Sequence, residues 1–258
     1  FNEQPSQKQE RLERLRKQIL EPTTLKRACW QLEAVGEEGI PILAASLTHP
    51  DNEVRFYAAH SLAYLNDRRA VETLKELCHQ EPAFRAMCLN GLTIIDSFEA
   101  ADALASLLHA ADPETRFGAI RALRYRDASN AQVRGQQIGE VGQILEIPTA
   151  GPPLVAVSLS MVPEVVIFGS NPELRLPAFM YITPKMMINR QPDGSLAISH
   201  FSPGQDDRVV QTSSDLRGIL SAIAEVGGTY GNWVSFVREA SEKGYLSEPI
   251  AINPIPTT

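Results

Sequence analysis

The amino-acid sequence predicts an α+β chain of two domains. Residues 1–130 form an α-α superhelix of stacked helical repeats, and residues 131–258 form an α/β domain with a mostly antiparallel sheet and a helix pair. Three observations predict this. Leucines and small residues recur through the first half at a period of about 30 residues. That period stops after Asp127, and short alternating apolar runs followed by two amphipathic segments fill the remainder.

The repeat is visible column by column. Leu32, Leu62, Leu92 and Leu123 align, and four residues before them stand Ala28, Ala58, Cys88 and Ala119. Leu47, Leu77 and Leu107 make a further column, accompanied by Leu43, Leu74 and Leu104, on the partner helix of each unit. Each unit is thus a helical pair that cannot bury its apolar face alone and must lean on the next. The small column lets backbones approach while the leucines fill the space between helices. The turns agree, because Asp51 and Asp112 stand where an N-cap is needed and Pro113 suits a first helical position. In the third unit Glu81-Pro82 takes the same place.

These residues carry a family resemblance. Asp51-Asn52-Glu53-Val54-Arg55, then Ala58, Ala59 and Leu62, resembles the core of a HEAT repeat, and Asp112 to Leu123 repeats it. The resemblance spans residues 8–127 and implies that Asp51, Arg55, Arg85, Asp112 and Arg116 form a structural ladder between neighbouring units. The first unit has Leu25 in place of the arginine, as befits an end unit.

A surface follows from the same alignment. Positions one, five and eight after the arginine column share a helical face. They place Trp30, then Phe56 and His60, then Phe117, Arg121 and Arg124 as protein-binding residues, with Arg126 reinforcing the arginines. Aromatic and arginine side chains supply most interface hot spots. Coverage of this face by the chain's own second domain is the plainer alternative.

In the second half, strands are expected at Gln143–Ile147, Leu154–Ser160, Glu164–Phe168, Arg175–Thr183, Lys185–Arg190 and Arg208–Thr212, and Asn189–His200 reads as a hairpin turning at Gln191-Pro192-Asp193-Gly194. Helices are expected from Leu216 to Val226, behind the cap Ser213-Ser214-Asp215, and from Tyr230 to Lys243, before a last strand at Pro249–Ile255.

The chemistry that these residues offer is sparse. A net charge of -7 opposes a general grip on nucleic acid, and no apolar run suits a membrane span. The stretch Asn2–Arg16 lacks the apolar core of a signal peptide. Cys29, Cys78 and Cys88 lie among apolar neighbours, without metal-ligand spacing, and are expected to be core thiols, while His49, His60, His79 and His109 are scattered singly. His200, near Ser199, Ser202 and Asp206-Asp207, lacks a strand-elbow-helix setting. Gly227-Gly228-Thr229-Tyr230-Gly231 contains no lysine and suits a turn. The expectation is therefore a non-catalytic scaffold, without cofactor or metal, that binds other proteins. An enzyme using His200 in an inter-domain cleft and a cytoplasmic regulatory adaptor are the rivals.

The whole chain also resembles bacterial proteins labelled flagellar basal-body P-ring protein. The resemblance is carried by Val54-Arg55-Phe56-Tyr57-Ala58-Ala59, Glu114-Thr115-Arg116-Phe117-Gly118-Ala119, Val133-Arg134-Gly135 and Pro163-Glu164-Val165-Val166-Ile167-Phe168-Gly169. It implies a periplasmic or cell-envelope structural protein with envelope or flagellar partners.

Overall fold

The computed structural model describes residues 4–160, 162–201, 204 and 206–256. They divide into two compact units. One comprises the chain up to Asn130 together with Ile255 and Pro256, and the other Ala131–Pro254. The last two described residues, expected in the second domain, thus group with the helices.

Among the described residues the first unit contains eight α-helices: α1 (Pro5–Gln18), α2 (Leu25–Val35), α3 (Ile40–Ser46), α4 (Asn52–Tyr64), α5 (Ala70–Gln80), α6 (Arg85–Ile94), α7 (Phe98–Leu107) and α8 (Pro113–Arg126). Helices α2, α4, α6 and α8 contact one another in series, and α3, α5 and α7 pack as partners of α4, α6 and α8. Leu32, Leu62, Leu92 and Leu123 are all buried, as are Ala28, Ala58, Cys88 and Ala119, so the two columns hold equivalent interior places. The helix starts are chemically fixed. Asp51 accepts from the Glu53 amide at 2.8 Å, and Asp112 accepts from the Thr115 amide at 2.7 Å, each satisfying one orphan donor of a first turn.

The aspartate-arginine ladder is present in one place and replaced in another. Arg85 pairs with Asp112 at 3.1 Å and with Glu114 at 2.6 Å, linking the third and fourth units. One unit earlier, Asp51 serves as a cap. Arg55 turns to Asn52 of its own helix at 3.1 Å and to Glu76 on α5, while Asn52 crosses to Glu81 at 2.8 Å. The physical difference is the preceding unit: Leu25 stands where an arginine would meet Asp51, whereas Arg85 is in place to meet Asp112. Arg116 is buried, and its Nε donates to the Ala110 carbonyl, closing the turn before its own helix.

The second unit carries two sheets where one was expected. Strands β1 (Gln136–Ile138), β2 (Gly142–Ile147), β3 (Leu154–Val157), β4 (Glu164–Phe168) and β9 (Ile250–Ile252) form a mixed sheet in the order β1-β2-β4-β3-β9. Its β2/β4 and β3/β9 pairs are parallel. Strands β5 (Phe179–Thr183), β6 (Met186–Arg190), β7 (Leu196–His200) and β8 (Arg208–Thr212) form an antiparallel meander. The inward residues Ile144, Val157, Val165 and Ile167 of the first sheet share a core with Met180, Ile188 and Ile198 of the second. Two helices, α9 (Leu216–Glu225) and α10 (Tyr230–Glu242), complete that core with Leu216, Ile219, Trp233 and Phe236. Trp233 Nε1 donates to the Leu220 carbonyl at 2.7 Å, so the largest buried ring has its one polar atom satisfied.

Candidate protein-interaction face

The face predicted from the repeat alignment is only partly where the alignment put it. Trp30 on α2 is exposed at 52%, and Arg121 on α8 is exposed. His60 on α4 and Arg124 on α8 are half-buried. Phe56 and Phe117 are corrections: both are fully buried and belong to the core. Phe56 stacks flat on Phe84, with centroids 4.1 Å apart and ring planes 4° apart, and so seals the joint between α4 and the turn before α6. A four-residue step on a helix of 3.6 residues per turn advances the direction by about 40°. Positions one and nine after the arginine therefore point well apart, and the exposed face centres on positions five and nine.

Position nine supplies the residues that the alignment missed. Tyr64 on α4 is 52% exposed and Tyr125 on α8 is 83% exposed. They recur in one column nine residues after Arg55 and Arg116, and that recurrence was the available signal. Arg126 is a second correction, because its guanidinium caps the C-terminal end of α6 through the carbonyls of Leu92 at 3.2 Å, Thr93 at 3.0 Å, Ile95, and Ser97 at 3.0 Å.

The remaining face is aromatic with a basic edge. The Lys26 ammonium lies 4.9 Å from the centre of the Trp30 ring and 5.9 Å from that of Tyr57, tying α2 to α4 by cation-π attraction. His60 meets Tyr64 edge-on at 5.1 Å, and Asn90 on α6 reaches the Tyr64 hydroxyl at 3.5 Å. Burial first, and the Lys26 charge second, hold the His60 imidazole below its ordinary pKa. Between α6 and α8 lies a groove of ≈ 320 Å³ lined by Leu89, Asn90, Gly118, Arg121, Tyr125 and Pro256.

His200 Nδ1 bonds the Val226 carbonyl at 2.9 Å, while Ser202, one of its expected neighbours, lies outside the described residues. Cys29, Cys78 and Cys88 are free and buried. Burial pushes Cys29 and Cys78 up to about 12 and Cys88 higher still. Among the described residues no group of three or more His, Cys, Asp or Glu side chains could hold a metal ion, and no helix is long and apolar enough to cross a membrane.

Comparison with known proteins bears on the helical half. Residues 12–87 match the family of HEAT repeats, which is under a third of the chain. No curated protein matches. Among solved structures, that of human deoxyhypusine hydroxylase in complex with glycerol is 26% identical over 46% of this chain and 44% of that chain, with a TM-score of 0.37. The match thus spans less than half of the hydroxylase. It also overturns the expectation of a non-catalytic chain as that expectation was framed, because a protein this chain is similar to is an enzyme. At that TM-score the likeness assigns no activity here.

Proposed function

We propose that this chain is a protein-interaction scaffold whose docking face is the layer of α2, α4, α6 and α8, wound as an α-α superhelix. The observation that carries this reading is the row Trp30, Tyr64 and Tyr125. These are three large aromatic side chains more than half exposed on one helical layer, in a unit whose core is already filled by its leucine and small-residue columns. Such side chains expose apolar area that solvent does not reward, and they anchor protein interfaces at low entropic cost. The match of residues 12–87 to HEAT repeats supports the same reading. Arg121 and Lys26 add positive charge to the face and favour a partner with acidic or carbonyl-rich surface.

The finer assignment, to a cell-envelope or flagellar assembly in the periplasm, rests on the sequence resemblance alone, and none of the comparisons supports it. Capture of partners by the wild type and by a Trp30→Ala/Tyr64→Ala double variant tests the docking face. Partners retained by the variant, at unchanged melting temperature, remove it.

A further inference from the structure

We infer that the groove between α6 and α8 is a site for an extended, proline-containing peptide, with the chain's own Ile255–Pro256 as its resident occupant. A partner segment of the same chemistry displaces that tail. The inference rests on the docking face proposed above and gives its partner a chemistry.

Four observations carry it. First, Pro256 belongs to the helical unit and forms part of the groove wall beside Leu89, Gly118 and Tyr125. Second, Gly118 stands in the interior of α8, where glycine costs about 1 kcal/mol relative to alanine. A Cβ there would lie 2.9 Å from Pro256 Cγ, and closer still to Leu89 Cδ1. The equivalent positions of the two preceding units hold Tyr57 and Met87, so only this unit lays its backbone bare where a proline ring seats. Third, the tail is held at its root. Asn253 adopts a left-handed turn at φ 50, its amide donating to Val157 at 2.7 Å and its side-chain oxygen accepting from Leu159 at 3.2 Å. Fourth, the occupant fills only part of the site, since Pro256 stays half-buried, Tyr125 stays open, and the groove still measures ≈ 320 Å³.

The chemistry fits this class of ligand. The run Pro254-Ile255-Pro256 has two residues without an amide N–H, which leaves little to desolvate in an apolar groove, and proline restricts the free peptide towards an extended form. Such segments dock in aromatic-lined grooves with carbonyls that make no internal hydrogen bonds and so can accept from water or from the groove. Tyr125 supplies an aromatic side chain to the lining, and Arg121 and Asn90, which also line the groove, are residue types that can donate to a peptide carbonyl.

The test is an NMR titration of the full chain, and of a chain shortened to end at Pro254, with the synthetic peptide of residues 253–258, following the amides of Gly118 and Tyr125. The shortened chain is expected to bind the peptide. The full chain is expected to bind it at least about tenfold more weakly, because a tethered tail competes at high effective concentration. Gly118→Val should abolish binding, and Arg121→Ala, an exposed change, should weaken it about fivefold. If shortening impairs folding, Pro256→Asp in the full chain opens the site instead. A folded, opened chain whose Gly118 and Tyr125 amides do not move overturns the inference, as does equal affinity of full and opened chains. If the peptide fails while partner capture still depends on Trp30 and Tyr64, this inference falls and the docking face stands. Loss of that dependence removes the docking face itself.

Discussion

Asp51 and Asp112 occupy the same place in two repeats and do different work, which makes them a controlled comparison. Each caps a helix, and loss of such a cap costs about 1 kcal/mol. Only Asp112 also pairs with Arg85, whose side chain is 10% exposed and whose other carboxylate is Glu114. The Arg85 Nε–Asp112 contact is an ion pair without hydrogen-bond geometry, and partly exposed pairs of this kind are worth about 0.2–1 kcal/mol. The Asp112 side chain is 36% exposed but that of Arg85 is not, so its share lies at the upper end, about 1 kcal/mol. Asp112→Ala should therefore cost about 2 kcal/mol and Asp51→Ala about 1 kcal/mol. Asparagine separates the two contributions, because it keeps a capping oxygen but removes the charge. Asp112→Asn should cost about 1 kcal/mol and Asp51→Asn close to nothing. Denaturant titrations of the four variants read these differences directly, provided the slope with denaturant is unchanged. Equal losses for Asp51→Asn and Asp112→Asn would refute the claim that the ladder operates between the third and fourth repeats and not before.

Three further outcomes are expected. His60 has its pKa lowered by burial and then by Lys26, so its folded value lies below the unfolded one. The folded state then binds fewer protons, and the His60 contribution is full above about pH 6.5 and lost as pH falls from there through the folded value. Unfolding measured against pH should show a steeper acid limb in the wild type than in His60→Gln. The thiols of Cys29 and Cys78, pushed up to about 12 by burial, should resist iodoacetamide at pH 8 in the folded chain and react on unfolding, as read by mass spectrometry. Trp233→Phe removes the donor to Leu220 and leaves a cavity in the core of the second unit, costing about 2 kcal/mol in a denaturant titration.

The sequence disclosed what repeats locally and hid what depends on direction or distance. The registers of Leu32, Leu62, Leu92 and Leu123 were legible because burial recurs at the repeat length, and Asp51 and Asp112 were legible because capping is a local chemistry. Phe56 and Phe117 were misplaced because α4 and α8 are buried around much of their circumference, polar Ser61, Thr115 and Arg116 included, so that polarity does not mark one outward face. Position alone put those residues outward, whereas the interior claimed them. Tyr64 and Tyr125 share a column, and only its recurrence marked them. In the second unit the runs that became β2, β4, β6 and β8 were visible as short strand-forming segments between turn residues. Their division into two sheets was not, because the parallel pairing of β3 with β9 joins segments far apart in the chain. The polar strand β1, Gln136–Ile138, carries no apolar pattern at all. The groove at Gly118 became meaningful only once Pro256 was seen beside it.

The docking face is tested most directly by placing a photo-crosslinking amino acid at Tyr64, at Tyr125 and, as a control, at Glu72 on α5, in cells that produce the full protein. Adducts of defined mass from positions 64 and 125, with none from position 72, are the predicted result. Adducts from position 72 alone, or in equal yield from all three, would contradict it.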